Sequence, residues 1–357
     1  MMLTLDGFAV QYLYGARLFG GVDAEFRDGK IVAVYGGEGS GKTSFLKALC
    51  GAERAEGSVL LDGEPVVPKT DKIVMVFDDG AVFASKSVYD NLAYPLKIRG
   101  FDRAEIAVRV TAAAEETGIS ACLNMRARTL SPADRRRMSL ARLLVRKARL
   151  YLVDEPAKGL TREDAEGVFG DFMSAARRLA KDGATVIYST SDRAEALAAG
   201  GRIAVLVDGE VKQIGTYADI RRAPDSIWAA QAIDPYYNFL PCILEEQDGV
   251  PLLVFGEGDA VRADALRGRT APGYMHREVY AGWYPGDADR SGKTAPTDCV
   301  SCDVSGYILR SADGIYERCG ERRERVFVRP DAAKVTLFDR ANECSIMTDG
   351  EVAEEKA

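Results

Sequence analysis

Short apolar runs rich in β-branched residues recur through the first two thirds of the chain. Runs of this length without polar alternation are typical of strands that are buried on both faces of a parallel sheet. They cover residues 31–35, 73–77, 150–153, 185–188 and 203–207. Helical patterns lie between several of these runs, for example at residues 44–50 and 163–181, so the alternation predicts an α/β sheet.

One long interval, at about residues 86–149, holds no comparable strand pattern. It is rich in Ala, Arg, Glu and Leu, which favours a helical subdomain inserted into the sheet domain. An amphipathic segment at residues 226–233 then leads to a proline-bounded linker at 235–241. We therefore expect a first domain at residues 1–234 and a second at 235–357.

The second domain carries short alternating apolar runs between Gly- and Asp-rich turns, at residues 252–255, 304–309 and 325–328. Short strands with turn signals between them are typical of a small β-barrel. The last residues, 350–357, predict a charged and frayed tail.

The composition then excludes several classes of function. The 357 residues include one histidine, His276, so mechanisms that need a histidine pair, a triad or a histidine metal cluster are excluded. The net charge of −7 argues against a mainly electrostatic nucleic-acid binder, and we expect no nucleic-acid partner. Neither a signal peptide nor a run of about 18 apolar residues is present, so we expect a cytoplasmic protein.

A glycine-rich motif directly after the first apolar run matches G-x-x-x-x-G-K-S/T, the phosphate-binding P-loop. Its strand, loop and helix context is the one that the motif requires. Backbone N–H groups of such a loop surround phosphates, the lysine neutralises the β and γ oxygens, and the hydroxyl holds Mg²⁺. The expected ATP-binding residues here are Gly36, Gly37, Glu38, Gly39, Ser40, Gly41, Lys42, Thr43 and Ser44.

Two carboxylates follow the apolar run at residues 150–153. Asp154 is suited to hold Mg²⁺ together with Thr43, and Glu155 is suited to polarise the attacking water as the catalytic residue. The carboxyl ends of parallel strands share one edge of a sheet, so Gly36, Asp78, Asp154 and residues 189–191 should meet in one crevice.

At these motifs the chain resembles the ATP-binding cassette (ABC) ATPases, and more narrowly the ATPase subunits of maltose- and glycerol-phosphate-type importers. Beyond the P-loop the resemblance extends over nearly the whole length, through residues 87–100, 140–156, 237–241, 283–288 and 328–339. It implies an α/β P-loop NTPase core with a helical subdomain, followed by a C-terminal OB-type (TOBE-like) regulatory barrel. It also implies that Tyr14 stacks on adenine and that ATP and Mg²⁺ are the cofactors.

The resemblance further implies an assembly. Two ATPase subunits enclose two ATP molecules head to tail, so that each site joins the P-loop of one chain to the signature motif of the other. ATP closure and hydrolysis then drive two integral membrane permease subunits, and an extracytoplasmic solute-binding protein delivers the solute. The chain would lie peripherally on the inner face of the cell membrane and serve import, with carbohydrates as the family-level expectation.

Four positions depart from the pattern of that family. The signature L-S-G-G-Q is replaced here by a leucine followed by Ser131, Pro132, Ala133 and Asp134. Pro132 has no N–H to offer a γ-phosphate. Asp134 adds repulsion of roughly 3 kcal/mol, for unit charges about 6 Å apart at an effective dielectric of ~20. The same four residues are also a good helix start, with proline at the first position.

The other departures concern the metal, the contact between the two sites and the switch histidine. Asp78 stands where the family has a glutamine, and it keeps an oxygen ligand for Mg²⁺. Thr161 replaces the aspartate of the D-loop, and Ser191 occupies the histidine position. A serine hydroxyl is shorter than an imidazole and carries no positive charge. His276 lies in the expected barrel and cannot take its place.

Three functions therefore compete. The leading one is an importer ATPase subunit that is the degenerate half of a heterodimer with a consensus ATPase, and that hydrolyses ATP weakly when alone. The alternative is an ATP-binding regulatory or scaffold protein with little or no turnover, against which the retained Glu155 argues. A small-molecule kinase is disfavoured by the helical insertion, the Asp-Glu pair and the second domain.

Overall fold

The computed structural model of the chain describes residues 2–10, 21–27, 29–67, 72–77, 82–235, 237–255, 259–284, 287–291, 300–304, 308–310, 316–318 and 324–348. The chain divides into two compact units, Met1–Tyr217 and Ala218–Ala357. The division falls before the boundary expected after residue 234, because residues just ahead of that boundary bond to the C-terminal part. The Ile227 N–H donates to the Glu343 carbonyl at 3.1 Å, and the Ser345 N–H donates to the Asp225 carbonyl at 2.8 Å.

The first unit contains strands β1 (Met2–Val10), β2 (Val22–Arg27), β3 (Ile31–Tyr35), β4 (Ala55–Leu61), β5 (Glu64–Pro65), β6 (Ile73–Val76), β7 (Leu150–Val153), β8 (Thr185–Thr190), β9 (Arg202–Val207) and β10 (Glu210–Thr216). The α-helices within the described residues are α1 (Lys42–Leu49), α2 (Val88–Lys97), α3 (Arg103–Glu116), α4 (Pro132–Leu144), α5 (Arg162–Lys181), α6 (Arg193–Ala198), α7 (Tyr217–Arg222) and α8 (Ile227–Ile233). None of the helices in the described part of the chain is long and apolar enough to cross a membrane.

The central sheet of the first unit has the order β10-β9-β3-β8-β7-β6. The five strands that the apolar runs predict are parallel to one another, and β10 joins the edge in antiparallel orientation. Valine, isoleucine and leucine side chains bury both faces of these strands, as a parallel sheet requires. The sequence-based α/β assignment is therefore confirmed, strand by strand.

A second, antiparallel sheet, β2-β1-β4-β5, packs its apolar side chains into the same core as α1. The sequence analysis did not identify it. β1 starts with alternating buried residues, Leu3 and Leu5, but a register shift follows and the next buried position is Phe8. Gly7 lies in this shift with φ +56°. The alternation of buried and exposed residues that would indicate a strand is therefore interrupted within β1.

The helical interval is confirmed as α2, α3 and α4, which share a core of their own. Each helix begins at a residue whose side chain accepts a hydrogen bond from the third helical N–H, and these residues are Ser87, Asp102 and Ser131. Such caps satisfy N–H groups that have no partner within the helix. α4 also packs against the sheet core through Ala133 and Leu140, which fixes the start of this helix relative to β7.

The second unit contains α8 and strands β11 (Asn238–Gln247), β12 (Val250–Phe255), β13 (Asp259–Arg262), β14 (Glu278–Trp283), β15 (Ala288–Ser291), β16 (Val300–Val304), β17 (Ile308–Arg310), β18 (Tyr316–Arg318), β19 (Glu324–Pro330) and β20 (Thr336–Asp339). They form sheets in the orders β13-β12-β11-β14-β20, β15-β19-β16 and β17-β18. The expected strands at 252–255 and 325–328 are parts of β12 and β19, and the expected strand at 304–309 is divided between β16 and β17.

The linker expected at residues 235–241 is wrong in its second half, because Asn238 already begins β11. Pro241 is tolerated there since the ladder to β12 starts only at Cys242, which pairs with Phe255. His276 lies in the second unit as an exposed turn residue with φ +60°, and its N–H donates to the Leu244 carbonyl at 2.6 Å.

Candidate nucleotide site

The glycine-rich loop connects β3 to α1, and its path requires glycine at particular positions. Gly39 and Gly41 have φ of +76° and +96°, the left-handed region that other residues avoid. A Cβ at Gly36 would lie 2.2 Å from the Leu206 carbonyl oxygen and 2.6 Å from Ser40 Oγ. The motif glycines therefore have a steric reason, and the loop passes close to β9.

Lys42, the first residue of α1, is 6% exposed. Its Nζ donates to the carbonyl oxygens of Gly36 and Gly37, each at 2.8 Å, and lies 3.2 Å from Glu155 Oε1. The loop thus curls around a buried ammonium group. A phosphate chain that enters this loop meets a positive charge together with the N-terminus of α1, which is the arrangement that binds anions.

Thr43 and Asp154 come together as the sequence predicts. The Thr43 hydroxyl donates to Asp154 Oδ2 at 2.9 Å, and the Ser189 hydroxyl donates to Asp154 Oδ1 at 2.6 Å. A hydroxyl and a buried carboxylate are hard oxygen donors of the type that Mg²⁺ prefers. Within the loop itself, the buried Ser40 Oγ has no hydrogen-bond partner among the described residues, so the loop offers a polar atom to a ligand. These residues fit Mg²⁺ and a polyphosphate.

Glu155 follows Asp154 in a left-handed conformation with φ +45°. A residue with a Cβ stays in that region only where its surroundings hold it. Its N–H donates to Ser189 Oγ at 3.0 Å, and its Oε2 accepts from the N–H and Oγ of Ser191 at 3.2 and 3.4 Å. The structure therefore directs Ser191 toward the carboxylate that follows Asp154.

The ends of β3, β7 and β8 do meet at one edge, as the sequence analysis expected. The Gly36 N–H donates to the Thr190 carbonyl at 3.3 Å, and Asp154 contacts Ser189. Sequence reasoning placed residues 189–191 in this crevice but missed the bridging role of Ser189, which touches both carboxylate residues. Its only signal was its position at a strand end. Tyr14 and Asp78 lie outside the described residues.

Residues 131–134, where the resemblance expects the signature motif, form the start of α4. Ser131 caps α4, and its hydroxyl accepts from the Asp134 N–H at 3.1 Å and donates to Asp134 Oδ2 at 2.8 Å. Asp134 Oδ1 also lies 3.7 Å from Arg137 Nη1. Pro132 occupies the first helical position and Ala133 is buried. The Ser131 hydroxyl is therefore already hydrogen-bonded to Asp134.

Thr161 repeats this arrangement at the start of α5. Its hydroxyl accepts from the Asp164 N–H at 3.3 Å and donates to Asp164 Oδ2 at 3.1 Å. Thr161, where the resemblance expects the D-loop aspartate, is thus a helix cap in this structure.

A half-buried acid, Glu195, is bonded to the residue before Ser191. Glu195 Oε2 accepts from the Thr190 hydroxyl at 2.5 Å. Burial raises the pKa of Glu195, the hydrogen bond from Thr190 opposes that shift, and the negative charge of Asp192 adds to it. The Tyr188 hydroxyl donates to the Glu195 carbonyl at 2.6 Å, so this acid is fixed to β8.

Comparison with known proteins agrees with this geometry. The family model described as "ABC transporter" matches residues 19–158. The chain is 32% identical to the sulfoquinovosyl glycerol transport ATP-binding protein of Agrobacterium fabrum, over 93% of this chain and 96% of that protein. It is 34% identical to the trehalose/maltose import ATP-binding protein of Thermococcus litoralis, over 76% of each chain.

A solved structure shows the same fold. It is that of cbiO1 from Clostridium perfringens, part of the ABC transporter complex cbiONQ, which aligns with a TM-score of 0.55 at 23% identity. The alignment covers 61% of this chain and 89% of that one.

Proposed function

Because the chain belongs to the ABC transporter ATPases of the importer type, we propose that it couples ATP binding and hydrolysis to solute uptake as one half of a two-ATPase assembly. The supporting observation is the buried cluster of Lys42, Asp154 and Glu155 at the end of the P-loop. The relatives are named for transport of sulfoquinovosyl glycerol and for import of trehalose or maltose. A carbohydrate-type solute is accordingly part of the proposal.

The ATPases of this family bind ATP with Mg²⁺. In this chain the loop N–H groups and Lys42 would bind the phosphates, and Thr43 with Asp154 would hold the metal. When bound, Mg²⁺ neutralises charge on the phosphate oxygens. Ser189 keeps the Asp154 carboxylate in place through its 2.6 Å hydrogen bond. Tyr14 and Asp78 complete the proposed set, at the adenine and at the metal.

Glu155 is the proposed catalytic residue. A carboxylate that polarises water must be held in one orientation beside the phosphate site. Two groups of this chain hold the Glu155 carboxylate in one orientation. The Lys42 ammonium contacts Oε1, and the Ser191 N–H donates to Oε2. Ser191 is thus assigned to orienting the carboxylate, whereas a switch histidine would also donate to the γ-phosphate.

The degenerate positions support the proposal that the chain pairs with a consensus ATPase. In a homodimer both sites would contain a signature whose serine is bonded to Asp134 and whose proline lacks an N–H. A consensus partner would give this chain's P-loop an intact signature, and only the other site would carry the weak one. We therefore propose a heterodimer that divides the two faults, with Ser191 at the switch position of one site and the weak signature in the other.

The helical subdomain offers an apolar surface to the permease subunits. Phe83 and Tyr94 stack edge to face with ring centroids 4.6 Å apart, and they are 41% and 44% exposed. Ile98, one turn after Tyr94, is 66% exposed. The buried Asn91 fixes this surface, because its amide bonds both the N–H and the carbonyl of Phe83. Peripheral attachment to the inner face of the cell membrane follows from the proposed docking to permeases.

The proposal for the second unit is the OB-type regulatory barrel that the resemblance implies. The antiparallel sheet β13-β12-β11-β14-β20 and its apolar core support it. In the proposed assembly this unit binds a partner or an effector and adjusts the activity of the first unit.

Purification of the chain with its genomic neighbours tests the function. We expect recovery with two integral membrane subunits and a second ATPase, and Mg-ATP hydrolysis that Glu155→Gln in this chain reduces. Recovery with water-soluble regulators alone, with no effect of Glu155→Gln, would support the regulatory scaffold instead.

A further inference from the structure

The arginine run at the start of α4 contains a link that the nucleotide site does not use. Arg136 Nη2 donates to the Lys158 carbonyl at 3.0 Å. Lys158 lies in the loop between β7 and α5, three residues after Glu155. The signature helix is thereby bonded to the loop that carries the proposed catalytic residue of the same chain.

The bonded carbonyl belongs to a tight turn. The Lys158 N–H donates to the Glu155 carbonyl at 3.2 Å, which closes a turn over residues 155–158. Glu155 begins this turn with φ +45°, a conformation that needs support from its surroundings. The inner side of the turn is fixed by Ala157, which is buried in the same core as Ala133 of α4. Arg136 fixes the outer side.

α4 is firmly attached and can act as the support. Arg137 Nε donates to Asp171 Oδ2 of α5 at 2.8 Å, and Leu140 packs into the sheet core. Arg136 therefore bonds α4 to the turn after β7, and Arg137 bonds α4 to the middle of α5.

We propose that Arg136 is a positioning residue for Glu155, acting through the turn at residues 155–158. The proposal rests on the proposed role of Glu155 in hydrolysis. In this proposal α4 supports Glu155 of its own subunit, in addition to making the weak contact with the partner's nucleotide. Loss of the Arg136 bond should let the turn open and the carboxylate leave its orientation, without changing how the P-loop binds ATP.

The test compares Arg136→Gln with Arg135→Gln in the complex that hydrolyses ATP. Arg135 is the matched control, because it is one position earlier on the same helix and its side chain is exposed. Arg136→Gln should lower kcat about three- to tenfold, the effect of one partly exposed charge-assisted hydrogen bond, with the KM for ATP unchanged. Arg136→Lys, which keeps a charged donor, should recover part of the loss.

Hydrogen exchange of the backbone amides supplies a readout that does not need turnover. Arg136→Gln should speed exchange at residues 157–161 and leave the body of α4 protected, and Arg135→Gln should change neither. Equal behaviour of the two glutamine variants overturns the proposal. Faster exchange throughout α4 also overturns it, since Arg136 would then only stabilise the helix. If Glu155→Gln leaves hydrolysis unchanged, the proposed function fails, while the exchange data still decide whether Arg136 holds the turn.

Discussion

Removing the charge of Asp134 should strengthen ATP-driven dimerisation of this chain. In the proposed head-to-tail dimer, Asp134 of one copy would face the nucleotide of the other. A unit charge about 6 Å from a phosphate charge, at an effective dielectric of ~20, costs roughly 3 kcal/mol. The Asp134 side chain is 32% exposed and lies 3.7 Å from Arg137, so screening and this partial pairing reduce the cost. We expect about 1–2 kcal/mol for Asp134→Asn at each of the two sites, so roughly 2–4 kcal/mol for the dimer of this chain and a dimer Kd lower by about thirty- to several-hundredfold.

The substitution also changes the helix start. Asparagine removes a favourable charge from the first turn of α4, worth about 0.3–1 kcal/mol, while the Ser131 cap remains. The matched control is Asp90→Asn at the start of α2. There Ser87 donates to Asp90 Oδ2 at 2.9 Å and Lys97 lies 3.0 Å from Asp90 Oδ1, so the local geometry is nearly the same. Both variants should lose similar stability, but only Asp134→Asn should gain dimer affinity.

The assay is sedimentation of the chain with Mg-ATP in the Glu155→Gln background, in which hydrolysis does not consume the dimer. The gain from Asp134→Asn should shrink as the ionic strength rises from about 0.05 to 0.5 M, because the repulsion it removes is screened. No gain in dimer affinity, or an equal gain from Asp90→Asn, would refute the electrostatic argument.

Three further predictions concern the nucleotide site. Gly36→Ala should weaken ATP binding more than about tenfold, because its Cβ would meet backbone at 2.2 Å, whereas Gly37→Ala, with open space around the added atom, should bind nucleotide nearly normally in a fluorescent-ATP titration. Ser191→Ala should lower kcat a few-fold at constant KM, since the contact it removes is with Glu155, and an increase in KM alone would contradict this. Glu195→Gln should raise the Tm at pH 8 and lose this advantage toward pH ~4, because an acid whose pKa is raised by burial destabilises the fold while it is charged and ceases to do so as pH falls through that pKa.

The sequence predicts the parallel sheet and the phosphate site well, because both depend on local patterns. Five apolar runs give five strands, and the motif from Gly36 to Thr43 has a steric or electrostatic reason at most positions. The pairing of Thr43 with Asp154 could be predicted because both follow strands of one sheet.

Other features depend on contacts that no local pattern carries. The bulge at Gly7 interrupts the alternating pattern by which β1 could be recognised. Pro241 is tolerated within β11 because the ladder between β11 and β12 does not reach it. Serine at position 191 indicated a lost function from its chemistry alone. Its contact with Glu155 could be seen only once β7 and β8 were placed side by side.

The most direct test of the central claim is the ATP turnover of the purified chain alone and mixed with a consensus importer ATPase from the same genome. We predict that the chain alone binds Mg-ATP but turns over slowly. The mixture should turn over at least about tenfold faster, and Glu155→Gln in this chain should remove most of the gain. Rapid turnover by the chain alone, abolished by Glu155→Gln, would contradict the account.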